Sequence, residues 1–375
     1  MSGDIVLRGY HSGDEKQIVE LLQLVFNGWP KLDLNCDPID YWRWKFLDNP
    51  EKTSCVALGI SEDKVIGVVE EFLLKIRIGN HVYLSSYGAD VGVHPDYRRI
   101  GIFNNLLELV RQIRKGTGSR LGYLVTSNPM LFKVFSERQY LFPRTVLNLV
   151  KIRDIDEQLK AMPVEKAFLK RIGFKAVKFV NNLHNSVRGP VQLHKGIKIK
   201  EESIFDSRVD AFSKIVSEYH GFIVERDRDY LNWRYCDSRS GGFIVKLAED
   251  DDGEILGYSV LRVNRYLDTY PIGYFVDLLA LPGRFDVVEA LTVDAVKYFD
   301  EQKTNIVNIL VTAGHPYKKV LNKHGFLDSR IKLQIFISSA TEILDELNKL
   351  ETLPPDKMHF SFGDIDSLPV RIPGT

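Results

Sequence analysis

A short loop near residue 100 has the residues that are needed to hold a phosphate group. Residues 98–103 read RRIGIF, and they follow an apolar run that ends at Pro95. The first turn of a helix presents backbone N–H groups and the positive end of the helix dipole. Gly101 lets the backbone approach a ligand closely, and Arg98 and Arg99 add positive charge. The loop therefore predicts a site for a phosphate or pyrophosphate group.

The segments on either side of this loop have the periods of a strand and a helix. The apolar run at 91–95 predicts the end of a strand. Downstream, apolar residues at positions 103, 106, 107, 110 and 113 fall on one face at helical spacing. A strand, a loop and an amphipathic helix would thus place the loop at the N-terminus of the helix.

The chain repeats its sequence pattern about 190 residues later, which indicates duplicated domains rather than a solenoid of short repeats. Three pairs of segments match in the same order. They are 41–46 with 230–235, 90–95 with 277–282, and 124–126 with 310–312. We therefore predict domains at 1–150 and 201–375, joined by a basic helical linker at 151–200, which has 12 Lys/Arg and 4 Asp/Glu.

Each half predicts the same secondary structure. In the first half we expect a helix at 16–26, strands at 54–60, 64–78 and 120–126, and a strand end at 91–95. The corresponding segments of the second half are 207–219, 242–248, 255–263, 305–312 and 276–282. A helix at 342–350 and a last strand at 359–362 are expected near the end of the chain.

The composition excludes several classes of protein. Lys+Arg and Asp+Glu both number 50, so a global basic field for nucleic acid is absent. No apolar run reaches the ~18 residues of a membrane span, and the charged N-terminus does not resemble a signal peptide. Cys36, Cys55 and Cys236 have no metal-binding or disulfide spacing. We expect a cytoplasmic protein, a monomer or homodimer, with no metal and no nucleic-acid or membrane partner.

The strand, the His-Pro turn, the loop and the helix together resemble motif A of the GNAT superfamily of N-acetyltransferases, which ends in R/Q-x-x-G-x-G/A. The sequence departs from this motif at Phe103, where a small residue is usual. The resemblance implies an α/β (α+β) fold of two tandem GNAT-like domains. Each domain would be a mixed, mostly antiparallel twisted sheet flanked by helices.

The resemblance also implies an acyl-CoA site, with acetyl-CoA as the co-substrate. Motif B of the family has a strand that often ends in Asn, and here that residue is Asn128. Family members use this Asn near the pantetheine arm. The backbone N–H of Val93 would polarise the thioester carbonyl. The implied CoA contacts are Val91, Val93, Arg98, Arg99, Ile100, Gly101, Ile102, Phe103, Asn104 and Asn128.

Several residues are candidates for the general base that takes a proton from the acceptor amine. They are Glu70, Glu71, Asp90, Tyr87 and His94. Strand alternation predicts that Tyr87 shares a face with Val91 and Val93, and that Asp90 lies on the other face. Asp90 also matches Asp277 of the second half, which favours a structural role for it. A charged strand residue is usually solvated, and His94 is typical of a loop spacer.

The usual general acid of the family is missing. Its tyrosine would fall at Phe135, which has no proton to donate. Tyr140, Ser136 or water would take that role, or the thiolate would leave unassisted.

Aromatic and basic residues at 41–45 are expected to pack in the core. Alternatively, Trp42 and Trp44 form a wall of the acceptor cleft, with Arg43 or Lys45 holding an anionic group. Trp233 and Arg234 of the second half could face the same cleft across the domain interface.

The second half lacks the phosphate loop, and Asp286 would repel a phosphate there. We therefore expect residues 201–375 to be a degenerate GNAT-like domain without a strong CoA site. The predicted function is transfer of an acetyl group to a primary amine of a small molecule, such as an amino sugar, an amino acid or a polyamine. The alternatives are a CoA-binding sensor or scaffold, and a peptidyl transferase of related fold that uses aminoacyl-tRNA.

Overall fold

The computed structural model describes residues 4–127, 132–133, 136–137, 144–153, 196–267, 269–339, 343–366 and 368. Most of the predicted helical linker at 151–200 lies outside these residues, as do Asn128, Phe135 and Tyr140.

The first half of the chain alternates strands with helices. Its elements are β1 Val6–Gly9, α1 Glu15–Phe26, α2 Pro38–Phe46, β2 Ser54–Ser61, β3 Lys64–Ile78, β4 His81–Val93, α3 Ile102–Gly116, β5 Leu121–Thr126 and β6 Thr145–Ile152. A short 3₁₀ helix, Pro95–Tyr97, lies between β4 and α3.

The second half repeats this order with a few additions. Its elements are β7 Lys198–Glu202, α4 Arg208–Tyr219, β8 Phe222–Val224, α5 Arg228–Leu231, β9 Ile244–Glu249, β10 Ile255–Asn264, β11 Ile272–Ala280, α6 Phe285–Glu301, β12 Ile306–Thr312, α7 Tyr317–Lys323, β13 Leu327–Ser339 and α8 Leu344–Lys349. A π-helical turn, Asn232–Cys236, continues α5.

The predicted helices and strands agree with the matching elements to within one or two residues at their ends, but several elements were missed and one predicted strand is wrong. Strands β1, β6, β7, β8 and β13, the first half of β4, and helices α2 and α5 were not predicted. The strand predicted at 359–362 is wrong, because its neighbour Met358 makes only an isolated bridge to Phe222. A 3₁₀ helix, Phe362–Asp364, follows directly.

All strands join one 13-stranded sheet, in the order β1-β2-β3-β4-β5-β13-β6-β12-β11-β10-β9-β7, with β8 beside β3. Only β4–β5 and β11–β12 are parallel among the described strand pairs. The predicted mixed, mostly antiparallel sheet with flanking helices is thus confirmed, as one continuous sheet.

The two halves exchange their last strands. Strand β13 of the second half pairs with β5, and β6 of the first half pairs with β12. The exchanged strands also pair with each other at the centre of the sheet. A domain boundary at residue 150 would therefore divide the sequence but not the sheet. The predicted domain boundaries stay a prediction.

Helix α3 packs closely on one face of the sheet because two glycines of the strands lack side chains. A Cβ on Gly67 would lie 2.9 Å from Leu106 Cδ1 and 3.1 Å from Ile102 Cγ2. A Cβ on Gly59 would lie 3.6 Å from the same Ile102 methyl. Helices α1 and α2 cover the opposite face, where Leu22 and the α2 aromatics are buried.

The two aromatic-basic segments of the repeat meet face to face. The indole rings of Trp44 and Trp233 stack with centroids 5.0 Å apart. Each indole N–H donates to the backbone carbonyl of the other tryptophan, at 3.0 Å in both directions. The two residues are 189 positions apart, which is the offset of the repeat. The contact is reciprocal and marks the approximate two-fold axis between the halves.

We expect this tryptophan pair to stabilise the association of the two halves. Trp44→Ala should lower the free energy of unfolding by about 3–5 kcal/mol, because it leaves a cavity and removes the indole donor of the Trp233 carbonyl. Trp44→Phe should cost less, about 1–3 kcal/mol, because it leaves only the Trp233 carbonyl without its donor. Urea unfolding would measure both.

Leu24→Ala is the control. Because Leu24 is 54% exposed, this substitution should lower the free energy of unfolding only a little. A cost for Trp44→Ala similar to that of Leu24→Ala would show that the contact does not hold the halves together.

Candidate functional site

Strands β4 and β5 pair only over a short length and then separate. Their parallel register covers Ser85–Tyr87 and Leu121–Tyr123. Beyond these residues β4 stays bonded to β3, whereas β5 continues beside β13. The gap between the two strands opens towards the C-terminal end of β4, where the predicted phosphate loop follows.

A β-bulge in β4 reorders the side chains at this gap. The β3–β4 register shifts between Val69 and Glu71, where β4 carries one extra residue. The prediction that Tyr87 and Asp90 lie on opposite faces is therefore wrong. Both side chains lie on the α2 side of the sheet, where Asp90 accepts from Lys45 and the Tyr87 hydroxyl donates to Asp366.

A cavity of about 450 Å³ lies at the gap. Its walls come from the 26–32 segment, helix α2, the ends of β4 and β5, Leu333 of β13, and a C-terminal segment that includes Asp366. Both halves of the chain therefore line it. Its volume is in the range of small-molecule sites.

The inner wall of the cavity holds an ammonium between two carboxylates. Lys45 Nζ lies 2.7 Å from Asp90 Oδ2 and 2.8 Å from Asp366 Oδ2. The indole N–H of Trp29 donates to Asp90 Oδ1 at 2.9 Å, and the Tyr87 hydroxyl donates to Asp366 Oδ1 at 3.2 Å. The sequence analysis named Tyr87 and Asp90 but missed Asp366. Lys45 holds two protein carboxylates in place of the anionic substrate group considered for it.

Burial sets the protonation of this group. Burial raises the pKa of Asp90, and Asp366 raises it further, although Lys45 opposes both. Burial lowers the pKa of Lys45, but the two carboxylates outweigh it and raise that pKa above its usual value. Burial, helped by the charge of Asp90, raises the pKa of Glu70 well above its usual range. This shift favours the neutral form of Glu70.

Buried arginines hold the segment that brings Asp366 to the cavity. Arg234 donates from Nε to the Gly363 carbonyl at 3.1 Å and from Nη2 to the Ile365 carbonyl at 2.9 Å. Arg226 forms an ion pair with Asp364 at 2.7 Å. The alternative that Arg234 faces the cleft is therefore wrong. Arg234 instead fixes the chain segment that carries Asp366. No spacing in the sequence signals this contact.

The two glutamates of β3 point to opposite faces, as predicted, but neither is solvated. Glu70 is fully buried, and its Oε1 accepts from the Trp42 indole N–H at 2.6 Å. Glu71 is 8% exposed and faces α3, where Arg114 Nη1 lies 3.2 Å from its carboxylate. The structure therefore places Glu71 away from the cavity and Glu70 behind its wall.

The remaining candidates within the described part of the chain lie outside the cavity wall. His94 caps the 3₁₀ helix, with its Nδ1 accepting from the Asp96 N–H at 3.3 Å. Trp42 and Trp44 are buried, which confirms their packing role. Tyr140 and Asn128 lie outside the described residues, and their roles stay predictions.

The predicted phosphate loop opens helix α3. Gly101 is the residue before the helix and has φ 87°, and Arg99 also has a positive φ of 67°. The first helical hydrogen bond runs from the Asn105 N–H to the Gly101 carbonyl. The preceding N–H groups, of Ile102 to Asn104, therefore point out of the helix end. Nothing in the described part of the chain lies within 4 Å of a Cβ built on Gly101.

Some side chains of the loop are packed against the protein, and others are exposed. Ile102 is buried against the sheet, and Phe103 packs beside the same cluster. Arg98, Arg99 and Ile100 are exposed. Arg98 Nε donates to the Val93 carbonyl at 3.0 Å, which holds its guanidinium where β4 ends. The residues thus fit a phosphate site formed by exposed N–H groups and arginines.

The N–H of Val93 points into the gap beside β4. The next N–H, that of His94, donates to the Ile66 carbonyl on the β3 side. Successive N–H groups of a strand point in opposite directions, so those of Val93 and Val91 point away from β3. This orientation suits the oxyanion role that the sequence analysis assigned to Val93.

The second half has a corresponding gap, which the protein fills itself. Strands β11 and β12 pair in parallel over 272–275 and 306–309 and then separate. The cavity left there is only about 10 Å³, because Met358, His359 and Phe360 line it from the C-terminal segment.

Asp277, the counterpart of Asp90, is fully engaged in this filled gap. It lies 3.1 Å from Arg226 Nε and 2.9 Å from His359 Nε2, and it accepts from the hydroxyls of Tyr235 and Tyr258. Burial alone would raise the pKa of Asp277, but Arg226 and these donors lower it. At the start of α6, Asp286 pairs with Arg284 at 2.8 Å. This half therefore presents a carboxylate where the first half presents N–H groups.

Two buried histidines near this filled gap should make the stability of the protein depend on pH. Burial and the neighbouring His359 lower the pKa of His220 and of His315 to about 3. Because the unfolded chain takes up these protons near pH 6.5, the stability is complete above that pH and is lost as the pH falls towards 3.

Urea unfolding between these pH values should show a loss of about 1.4 kcal/mol per pH unit for each histidine. His315→Gln should flatten the slope, since glutamine does not titrate. An unchanged slope in this variant would contradict the assignment of the pH dependence to this cluster.

The described residues contain no cluster of three or more His, Cys, Asp or Glu side chains that could hold a metal ion. None of the helices among them is both long and apolar enough to cross a membrane.

Comparisons with known proteins agree with this geometry. Residues 7–135 match the family model of an acetyltransferase (GNAT) domain. No curated protein sequence matches the chain. Among solved structures, the GCN5-related N-acetyltransferase from Anabaena variabilis is similar with a TM-score of 0.58 and 12% identity, over 89% of this chain and 72% of that chain.

The N-myristoyltransferase of Saccharomyces cerevisiae, solved with bound myristoyl-CoA and inhibitors, is similar with a TM-score of 0.60 and 10% identity. This similarity covers 90% of this chain and 81% of that chain. At these identities the structures establish the fold, and the family model establishes the domain that carries the phosphate loop. The protein is therefore an acyltransferase with a GNAT domain at residues 7–135.

Proposed function

We propose that the protein transfers an acetyl group from acetyl-CoA to a primary amine of a small molecule, by direct attack in a ternary complex. The observation that carries this proposal is the cavity at the β4–β5 gap, whose inner wall holds Asp90, Lys45 and Asp366. The phosphate loop follows the same strand by a few residues. Acyl donor and amine acceptor can thus meet at the end of β4.

The loop at 98–104 binds the pyrophosphate of the donor through exposed N–H groups and the two arginines. The thioester then lies along the gap, beside the N–H groups of Val91 and Val93. The N–H of Val93 stabilises the oxyanion that forms when the amine attacks the carbonyl carbon. The C–S bond then breaks, and CoA leaves as a thiolate.

Asp90 takes the proton of the amine. Its raised pKa suits a general base better than that of an ordinary exposed carboxylate. Glu71 is a weaker candidate, since it pairs with Arg114 on the α3 face. Burial raises the pKa of Tyr87 well above its usual value, so Tyr87 stays protonated and acts as a hydrogen-bond donor to Asp366.

A peptide N-terminus is the second candidate for the acceptor, because the solved relative from yeast is an N-myristoyltransferase. The likeness of the two folds favours it, whereas the small cavity volume favours a small molecule. Release of free thiol from acetyl-CoA, measured with primary amines and with short peptides, separates the two. Turnover confined to peptides would overturn the small-molecule proposal.

We expect Asp90→Asn to lower kcat/KM for the amine by about 10²–10⁴-fold, since the amide keeps the shape but cannot accept the proton. Binding of acetyl-CoA, measured by calorimetry, should not change. A loss of activity in Glu71→Gln with an active Asp90→Asn would instead place the base on the α3 face.

We expect Gly101→Glu to weaken acetyl-CoA binding by about 100-fold or more, because the new carboxylate faces the phosphates and the positive φ disfavours a side chain. Calorimetry would measure the dissociation constant. Gly118→Glu is a matched control, since Gly118 also has a positive φ of 79° and open space around it, but lies at the other end of α3. Equal losses in both variants would refute the phosphate loop.

A further inference from the structure

The inner wall of the cavity carries one net negative charge. The carboxylates of Asp90 and Asp366 flank the single ammonium of Lys45, so that the formal charges of the three side chains leave one negative charge; their exposed fractions are 11%, 10% and 3%. Glu70 stands behind Asp90, and burial raises its pKa well above its usual range, which favours its neutral form. Each carboxylate oxygen here has one protein donor. Because an ionised carboxylate has about four lone-pair sites, both groups can accept another N–H.

This wall should distinguish between amines by the charge of the substituent on the carbon that carries the amino group. A protonated amine is attracted to the net negative charge and can donate to both carboxylates. A carboxylate on the adjacent carbon would lie within about 4 Å of Asp90 or Asp366, where like charges repel by about 1 kcal/mol in water and more in a poorly hydrated cavity. An amino acid is therefore disfavoured relative to its decarboxylated amine.

The rest of the lining is mainly apolar. The apolar side chains that line it include Phe26, Trp29, Leu32, Val125, Leu333 and Leu368. Of the described charged residues at the cavity, only Lys31 is outside the inner group, and it is exposed. A hydroxyl-rich sugar would leave polar groups against this surface, at a cost for each unsatisfied group.

We propose that the acceptor is an alkyl or arylalkyl primary amine with no carboxylate beside the amino group. This inference rests on the proposed function and narrows its substrate class. The amine binds to Asp90 and Asp366, and the apolar body of the substrate packs against the aromatic and aliphatic lining. Attack on acetyl-CoA then forms the C–N bond of an N-alkylacetamide and releases CoA, with the amine proton going to Asp90.

Three acceptors with one carbon skeleton test the charge rule. They are phenethylamine, phenylalaninamide and phenylalanine, compared by kcat/KM with acetyl-CoA after correction for the fraction of free amine. We expect phenylalanine to be at least about tenfold worse than the other two, because only it places a negative charge beside the nitrogen. Equal rejection of the amide and the acid would show selection by size and overturn the inference.

Preference for phenylalanine would also overturn the inference. If none of the three reacts but glucosamine does, the substrate class is wrong and the proposed function stands. If no primary amine is acetylated, the proposed function itself fails.

The variant Asp366→Asn tests whether the inner wall causes the selectivity, because it removes one of the two carboxylates and reduces the formal net charge of the inner group to zero. It should narrow the ratio of phenethylamine to phenylalanine several-fold. Asp63→Asn is the control, since Asp63 lies in the exposed β2–β3 turn and should leave the ratio unchanged. Acetyl-CoA binding by both variants reports that they are folded. An unchanged ratio in Asp366→Asn would overturn the assignment.

Discussion

Parallel strands that separate within a sheet leave a gap between them, and the backbone and side chains along that gap need partners. This protein contains the constraint twice, at β4–β5 and at β11–β12, because its second half repeats the element order of the first. In the second half the C-terminal segment fills the gap and engages Asp277. In the first half a cavity of about 450 Å³ stays open, and there we propose that the substrates bind. One geometry thus supports packing in one half and chemistry in the other.

The same C-terminal segment serves both gaps. It places Met358, His359 and Phe360 in the closed gap and, a few residues later, Asp366 in the open one. Arg226 bonds to both Asp277 and Asp364, so the ion pairs that fill the closed gap also fix the path towards the cavity. The second half therefore contributes to the acceptor site by holding this segment, although it presents Asp286 where a phosphate would bind.

Local sequence patterns predicted the parts of this fold that depend on local periodicity. The α3 face, β2, β3 and the loop around Gly101 follow from apolar spacing and from glycine position. The β4 bulge does not, because one extra residue changes the face of Tyr87 relative to Asp90 without changing composition. The exchange of β6 and β13 and the contact of Asp366 with Lys45 also escape local patterns, since their partners are far apart in sequence. The site was therefore predicted at its phosphate end and largely missed at its acceptor end.

Burial decides how many of the acids at the site are charged. Glu70, Asp90 and Asp366 lie near one ammonium, and a count from the sequence would give the group a net charge of two negatives. A third ionised carboxylate in this buried surrounding would be costly, and burial accordingly raises the pKa of Glu70 well above its usual range, which favours its neutral form. Its Oε2 is buried without a hydrogen-bond partner among the described residues, which suits a neutral acid better than an anion. The proposed acceptor site thus presents the carboxylates of Asp90 and Asp366 around one ammonium, that of Lys45, with the neutral form of Glu70 favoured behind them.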